Sequence, residues 1–125
     1  MREIIETSAA PSPIGPYSQA IRANGFLFIS GQIPVQPGTG SVVAGGIEDQ
    51  THQVMRNLSA ILAAAGSGFG KVVKTTVFLT DLDDFSAFNR IYGEYVGDSK
   101  PARVTVQVAR LPKEVRLEIE AIALA

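Results

Sequence analysis

The sequence predicts an α+β single domain in which two helices pack on one face of a mixed β-sheet. Two segments repeat apolar residues at helical spacing, and six shorter ones alternate apolar and polar residues or are rich in β-branched and aromatic residues. Their order along the chain is strand, hairpin, helix, strand, helix, hairpin. The chain of 125 residues fits one domain, 1–125, and can bury about two-thirds of its unfolded surface.

The N-terminal part combines a short strand candidate, Arg2–Glu6, with a stiff loop. Residues 9–16 include three prolines, which prevent regular structure and fix where Tyr17 lies. The pair Asn24-Gly25 is a strong turn signal between Tyr17–Arg22 and Phe26–Ser30, so these two segments are predicted to be the strands of a β-hairpin.

The middle of the chain changes to helical periodicity. An apolar stripe predicts a helix from Ile47 to Ala65, which Gly66 ends. The segment Lys71–Thr80 is rich in β-branched and aromatic residues and predicts a central strand. Asp81 is a candidate N-cap for a second helix, whose aromatic stripe runs from Phe85 to Val96.

The last 25 residues predict a second hairpin, with its turn at Leu111–Glu114 because Pro112 cannot donate to a continuous ladder. If both strands turn their apolar residues to one core, Thr105 lies opposite Glu120 and Arg103 lies diagonal to it. A cation, a hydroxyl and a carboxylate are therefore expected on one face.

This face has two interpretations. A solvated ion pair between Arg103 and Glu120 would contribute at most about 1 kcal/mol to stability. However, Ile122 and Leu124 make the end of the same face apolar, which indicates a cover. A guanidinium and a carboxylate beside covered apolar surface suit a pocket for a small anionic substrate.

Composition argues against several classes of protein. A formal net charge of −1 gives no electrostatic basis for nucleic-acid binding, and the absence of cysteine excludes disulfides, thiolate zinc sites and thiol nucleophiles. No apolar run is long enough to span a bilayer and no signal-peptide core begins the sequence, so we expect a cytoplasmic protein.

Three other motifs are interpreted as structural. His52, the single histidine, lies on the polar side of a helix without further metal ligands or an orienting partner for a serine triad, so we expect it to be solvated and expect no metal site. The glycine-rich segment 66–70 follows a helix and precedes a strand, the wrong order for a phosphate loop. Arg110, Lys113 and Arg116 are expected to form a solvated basic tip.

Several motifs in sequence order resemble the YjgF/RidA family of reactive-intermediate (enamine/imine) deaminases. The resemblance runs almost end to end and is carried by Ile14–Gln19, Ser30–Pro34, Lys74–Phe78, Asp81-Leu82, Phe85, Asn89, Pro101–Arg103, Leu111-Pro112 and Glu118–Ala121. It implies a homotrimer of chorismate-mutase-like α+β subunits, with the sheets around a central β-barrel and three clefts between neighbouring chains.

The resemblance also implies a pocket. Its substrate-binding residues would be Tyr17, the backbone of Gly31, Asn89, Arg103 and Thr105. Its catalytic residues would be Arg103, which holds a substrate carboxylate, and Glu120, which positions water and transfers protons. Many deaminase members have cysteine where Thr105 stands and an aromatic residue where Lys100 stands. From the residues alone, Asn89 could be a boundary residue and Tyr17 a core residue.

The function implied is cofactor-independent hydrolysis of 2-iminobutanoate and 2-iminopropanoate (2-aminoacrylate) to 2-keto acids and ammonia. An alternative is a trimer that binds keto acids or related metabolites and signals to a partner without turnover. A ribonuclease or translation inhibitor, activities attributed to some family members, is disfavoured by the near-neutral charge.

Overall fold

The computed structural model describes residues 1–125 as six strands and two α-helices. The sheet has the order β1-β2-β3-β6-β4-β5, in which β4 and β5 are parallel and the other neighbours are antiparallel. None of the helices has the length and apolar character needed to cross a membrane. The element bounds are β1 Arg2–Ile5, β2 Ala20–Ala23, β3 Phe26–Gln32, α1 Ile47–Ala64, β4 Val72–Leu79, α2 Phe85–Val96, β5 Ala102–Gln107 and β6 Leu117–Leu124.

The N-terminal hairpin is confirmed. Asn24 and Gly25 have φ of 54° and 83°, so both turn residues are left-handed, as a two-residue hairpin turn requires. Ala23 and Phe26 pair on either side of them. The strand β2 begins at Ala20, so Tyr17 belongs to the preceding loop rather than to the strand.

Both helices are confirmed, within one residue of the expected bounds. Gly66 ends α1 with φ of 74°, and the Asp81 carboxylate accepts a hydrogen bond from the Asp83 backbone N–H, which caps the short turn before α2. The two helices cover one sheet face, where burial of apolar surface stabilises the fold. The largest fully buried side chains there include Leu27, Val54, Leu58, Ile61, Val77, Phe88, Leu117 and Ile119.

The C-terminal hairpin prediction is wrong, because β4 lies between β5 and β6. Residues 108–116 carry the chain past β4 instead of turning back tightly. Their ends are tied to β4 by two backbone hydrogen bonds, from Val108 N–H to Leu79 C=O and from Thr80 N–H to Arg116 C=O. Alternation specifies the two faces of a strand but not its neighbour, and β6 finds two partners in β3 and β4.

The prediction that Arg103, Thr105 and Glu120 share one polar face is wrong for the same reason. Arg103 pairs with Thr75, which is buried beneath the helices, so Arg103 and Thr105 project on the helix side of the sheet. Glu120 pairs with Thr76 and projects from the opposite face. Within one chain, the Arg103 guanidinium and the Glu120 carboxylate are thus on different sides of the sheet.

The face opposite the helices carries a large apolar patch beside Glu118 and Glu120, and it is uncovered in the single chain. Its exposed side chains come from four strands and leave 37 to 51% of their surface accessible. In the register between β3 and β6, Phe28 lies opposite Ile122 and Phe26 lies opposite Leu124, so the patch is continuous across these two strands. This patch, the outer face, includes Ile4, Phe26, Phe28, Val104, Val106 and Leu124. Exposed apolar surface of this kind marks an interaction site.

Candidate functional site

Arg103 lies on β5 against the aromatic stripe of α2. Its guanidinium carbon is 5.0 Å from the ring centre of Tyr92, 5.4 Å from that of Phe85 and 5.8 Å from that of Phe88. These distances suit cation–π attraction. The Tyr92 hydroxyl in turn forms a buried 2.7 Å hydrogen bond with Thr75, the strand partner of Arg103. The rings and the strand therefore hold the guanidinium in one place.

Asn89 and Thr105 lie beside Arg103. Arg103 Nη1 donates a 2.8 Å hydrogen bond to Asn89 Oδ1, and no carboxylate lies within 4.0 Å of Arg103. The Thr105 hydroxyl is buried and has no hydrogen-bond partner. A cation without a counter-ion and a hydroxyl without a partner are groups that an anionic, polar ligand would satisfy.

Tyr17 and Gly31 lie elsewhere, around a cavity of about 320 Å³. The Tyr17 side chain is half exposed, and it follows a loop that the buried Gln19 amide anchors through hydrogen bonds to Thr7, Ala10 and Pro11. The cavity wall also includes Gln32, Ile33, Val35, Gln36, Thr39 and Lys113.

Glu118 is a candidate that the sequence-based prediction missed. Its carboxylate lies so close to the Gly31 Cα that a side chain at position 31 would collide with it. Burial raises the pKa of Glu118, and the neighbouring charge of Glu120 raises it further. A carboxylate with a raised pKa that contacts a residue of the cavity wall, here Gly31, is suited to proton transfer. The available signal, a glycine facing a glutamate, appears only once the β3–β6 pairing is known.

Glu120 is exposed on the same face of β6 as Glu118. Its catalytic role stays a prediction. The two residues lie two positions apart on one strand, and the charge of Glu120 adds to burial in raising the pKa of Glu118.

The predicted residues other than Glu120, together with Glu118, therefore form two groups in one chain. Asn89, Arg103 and Thr105 lie on the helix side of the edge strand β5. Tyr17, Gly31 and Glu118 lie near β3, which β6 and β4 separate from β5, a span of about 14 Å at the usual strand spacing. We call these the cation half and the carboxylate half.

Two polar residues that were expected to be solvated, His52 and Arg116, form side-chain contacts within the chain. The His52 ring is half buried and its Nδ1 lies 2.9 Å from the Tyr95 hydroxyl, so the expectation of a solvated histidine is wrong. In the basic tip, Arg116 binds the Asp84 carboxylate through two hydrogen bonds of 2.9 and 3.0 Å. No cluster of three or more histidine, aspartate or glutamate side chains is placed to hold a metal ion.

Comparison with known proteins shows the family. The family model described as endoribonuclease L-PSP matches residues 7–125, and a RutC family protein of Pyrococcus horikoshii is 60% identical over 123 residues, which cover 98% of both chains. The chain belongs to the YjgF/RidA/RutC family. The resemblance inferred from the motifs is thereby confirmed.

Two further family members are similar over nearly the whole chain. A mouse protein named 2-iminobutanoate/2-iminopropanoate deaminase is 49% identical over 123 residues, covering 98% of this chain and 91% of its own. The crystal structure of E. coli TdcF with bound serine is 48% identical and superposes with a TM-score of 0.93, covering 98% of each chain. The α+β fold of six strands and two helices is therefore that of the family.

Proposed function

We propose that this protein is a cofactor-independent deaminase that hydrolyses 2-iminobutanoate and 2-iminopropanoate to 2-keto acids and ammonia. The observation that carries the proposal is the Arg103 guanidinium, held by three rings and Asn89 with no acidic partner. Such a fork binds a carboxylate through paired hydrogen bonds. The mammalian relatives named as imine deaminases and the serine bound to TdcF, also a small carboxylate, support this function.

The cation half and the carboxylate half would meet between two copies of the chain. The uncovered outer face provides the surface on which copies associate, and the halves lie too far apart in one chain to hold a four-carbon substrate. A closed homotrimer with a site in each of three clefts satisfies both observations. One copy supplies Tyr17, Gly31 and Glu118, and its neighbour supplies Arg103, Asn89 and Thr105.

In this cleft Arg103 binds the substrate carboxylate. Glu118 accepts a proton from water as the oxygen adds to the C=N carbon and passes it to the nitrogen, which gives a carbinolamine. Glu118 then transfers the proton of the new hydroxyl to the amino group, so the C=O bond forms, the C–N bond breaks and ammonia leaves. Thr105 can donate to or accept from the substrate or water, because its hydroxyl has no partner in the chain. The sequence resemblance gave the proton-transfer role to Glu120. The position of Glu118 against Gly31 favours Glu118, with Glu120 as a neighbouring charge.

The test couples a threonine dehydratase to this protein and follows the released imine by trapping with semicarbazide. We expect the native chain to reduce the trapped imine and to speed release of 2-ketobutyrate, and Arg103→Ala to abolish both effects. Arg90→Ala is the matched control, because Arg90 is an exposed arginine on α2 that pairs with Glu48. A folded native protein that binds 2-ketobutyrate without accelerating hydrolysis would instead support the metabolite-binding function.

A further inference from the structure

Lys113 is the one cation of the basic tip without an acidic partner. Arg110 pairs with Glu114 and Arg116 binds Asp84, whereas no carboxylate lies within 4.0 Å of the Lys113 ammonium. Two of the three cations at this turn therefore form ion pairs within the chain. The third is available for a ligand.

The backbone at Lys113 forms a tight left-handed turn beside the cavity. Lys113 and Glu114 have φ of 58° and 56°, a left-handed conformation that residues with side chains rarely adopt. Hydrogen bonds from Glu114 N–H to Leu111 C=O and from Val115 N–H to Pro112 C=O close the turn around them. In this conformation Lys113 forms part of the wall of the cavity that also contains Tyr17 and Gly31.

The cavity is larger than a four-carbon imine needs. Its volume of about 320 Å³ lies in the range of pockets that enclose drug-sized ligands. The wall contains, besides Tyr17 and Gly31, the apolar residues Ile33 and Val35 and the polar residues Gln36, Thr39 and Lys113. A substrate whose reacting carbon lies near Gly31, which Glu118 contacts, therefore finds apolar surface and a cation for its side chain in the same cavity.

We propose that this part of the cavity is a side-chain subsite and that Lys113 binds an anionic group at the end of the substrate side chain. The substrate class is the 2-imino acids derived from dicarboxylic amino acids. The inference rests on the proposed function: Arg103 of the partner subunit holds the α-carboxylate, and hydrolysis gives a 2-keto dicarboxylate and ammonia. A lysine suits this role because its flexible point charge can bind one carboxylate oxygen.

The experiment compares two substrates in the same preparation. An L-amino acid oxidase generates 2-iminoglutarate from glutamate or 2-iminobutanoate from 2-aminobutyrate, and kcat/KM for imine hydrolysis is measured for each. In Lys113→Met, which keeps the length of the side chain and removes its charge, we expect the ratio of the glutarate to the butanoate value to fall about tenfold or more. Partial unfolding would lower both values and leave their ratio unchanged.

Lys71→Met is the control, because Lys71 is exposed, has no carboxylate within 4.0 Å and does not line the cavity. Its ratio should match that of the native protein. The inference is overturned if Lys113→Met changes the ratio by less than twofold, or if the native protein hydrolyses 2-iminobutanoate but not 2-iminoglutarate. Absence of activity on both imines would overturn the proposed function instead.

Discussion

Arg103 owes its orientation to aromatic contacts rather than to a counter-ion. The centres of three rings lie within 6 Å of its guanidinium carbon, and its side chain donates a hydrogen bond to the neutral Asn89 amide. A carboxylate partner would have to be displaced before a substrate could bind, whereas the rings leave the donors of the fork available. The residue is thus arranged in advance for an anionic ligand.

Gly31 provides the space that the Glu118 carboxylate occupies. We expect Gly31→Ala to reduce kcat/KM at least tenfold, because the added methyl group must displace that carboxylate. The obstructing atoms are the far end of a flexible side chain and the Gly31 backbone is not left-handed, so the melting temperature should change little.

Steady-state kinetics and a thermal melt on the same sample check this prediction. Gly68→Ala is a suitable control, because nothing lies near the position where its Cβ would be built. A variant at Gly31 with native kcat/KM would show that the position of Glu118 does not matter for turnover.

The interaction of Glu118 with Glu120 should be visible in the pH dependence of activity. If ionised Glu118 accepts the proton, kcat/KM rises with pH through its pKa, which burial and the charge of Glu120 hold above the ordinary value of 4.5. Glu120→Gln removes the like charge, so the acid limb should move to lower pH. Glu94→Gln, an exposed change on α2, should leave the limb in place.

The same pKa affects stability in a direction that can be checked without substrate. A raised pKa in the folded state contributes stability that is fully present below pH 4.5 and is lost as the pH rises through the folded pKa. Glu118→Gln should therefore raise the melting temperature at pH 8, and the gain should disappear below pH 4.5. A gain that is constant with pH would contradict the assignment of the raised pKa.

At the scale of elements, the loop before β2 depends on one buried side chain. Gln19 accepts a hydrogen bond from Thr7 N–H and donates to the carbonyls of Thr7, Ala10 and Pro11. We expect Gln19→Leu to lower the free energy of unfolding by about 2 to 4 kcal/mol, because it leaves buried backbone groups without partners. Urea denaturation at fixed protein concentration measures this.

Gln36→Leu is the control for that measurement, since Gln36 is exposed and forms hydrogen bonds only through its backbone. Equal effects of the two substitutions would show that the hydrogen bonds of Gln19 add nothing to stability. A loss of stability confined to Gln19→Leu would show that these hydrogen bonds stabilise the fold.

The elements were largely predictable from periodicity and turn residues, but one pairing was not. Alternation correctly separated Val104 from Arg103 on β5 and Ile119 from Glu120 on β6. The error lay in assuming that both apolar faces share one core. Val104 and Val106 of β5 lie on the outer face of the sheet. The assumption that apolar residues are buried within their own chain therefore places them on the wrong side. Asn89 and Arg103 were assigned to one site only through the family resemblance, and the hydrogen bond between them joins α2 to β5.

At the scale of the whole molecule, the cleft model predicts that inactive variants rescue each other. Arg103→Ala lacks the cation half and Glu118→Gln lacks the carboxylate half. When the two are unfolded and refolded together, random assembly into trimers should restore about a quarter of the clefts, each with Arg103 from one copy and Glu118 from its neighbour. Imine hydrolysis before and after mixing measures the recovery.

Either variant alone, refolded in the same way, should stay inactive. Mixed trimers without activity would indicate that both halves must come from one chain, and sedimentation as a monomer at micromolar concentration would contradict the cleft model directly. The mass to compare is three times the 13.2 kDa of one chain.

The position of β6 in the sheet has a consequence for synthesis. It is the last of the six strands along the chain, yet it lies between β3 and β4 and joins the two parts of the sheet. While residues 117–124 remain in the ribosomal tunnel, β3 and β4 each have an unpaired edge and the hydrophobic core lacks Leu117 and Ile119. Native sheet formation therefore waits for the release of β6, and until then these edges are available to chaperones and to aggregation.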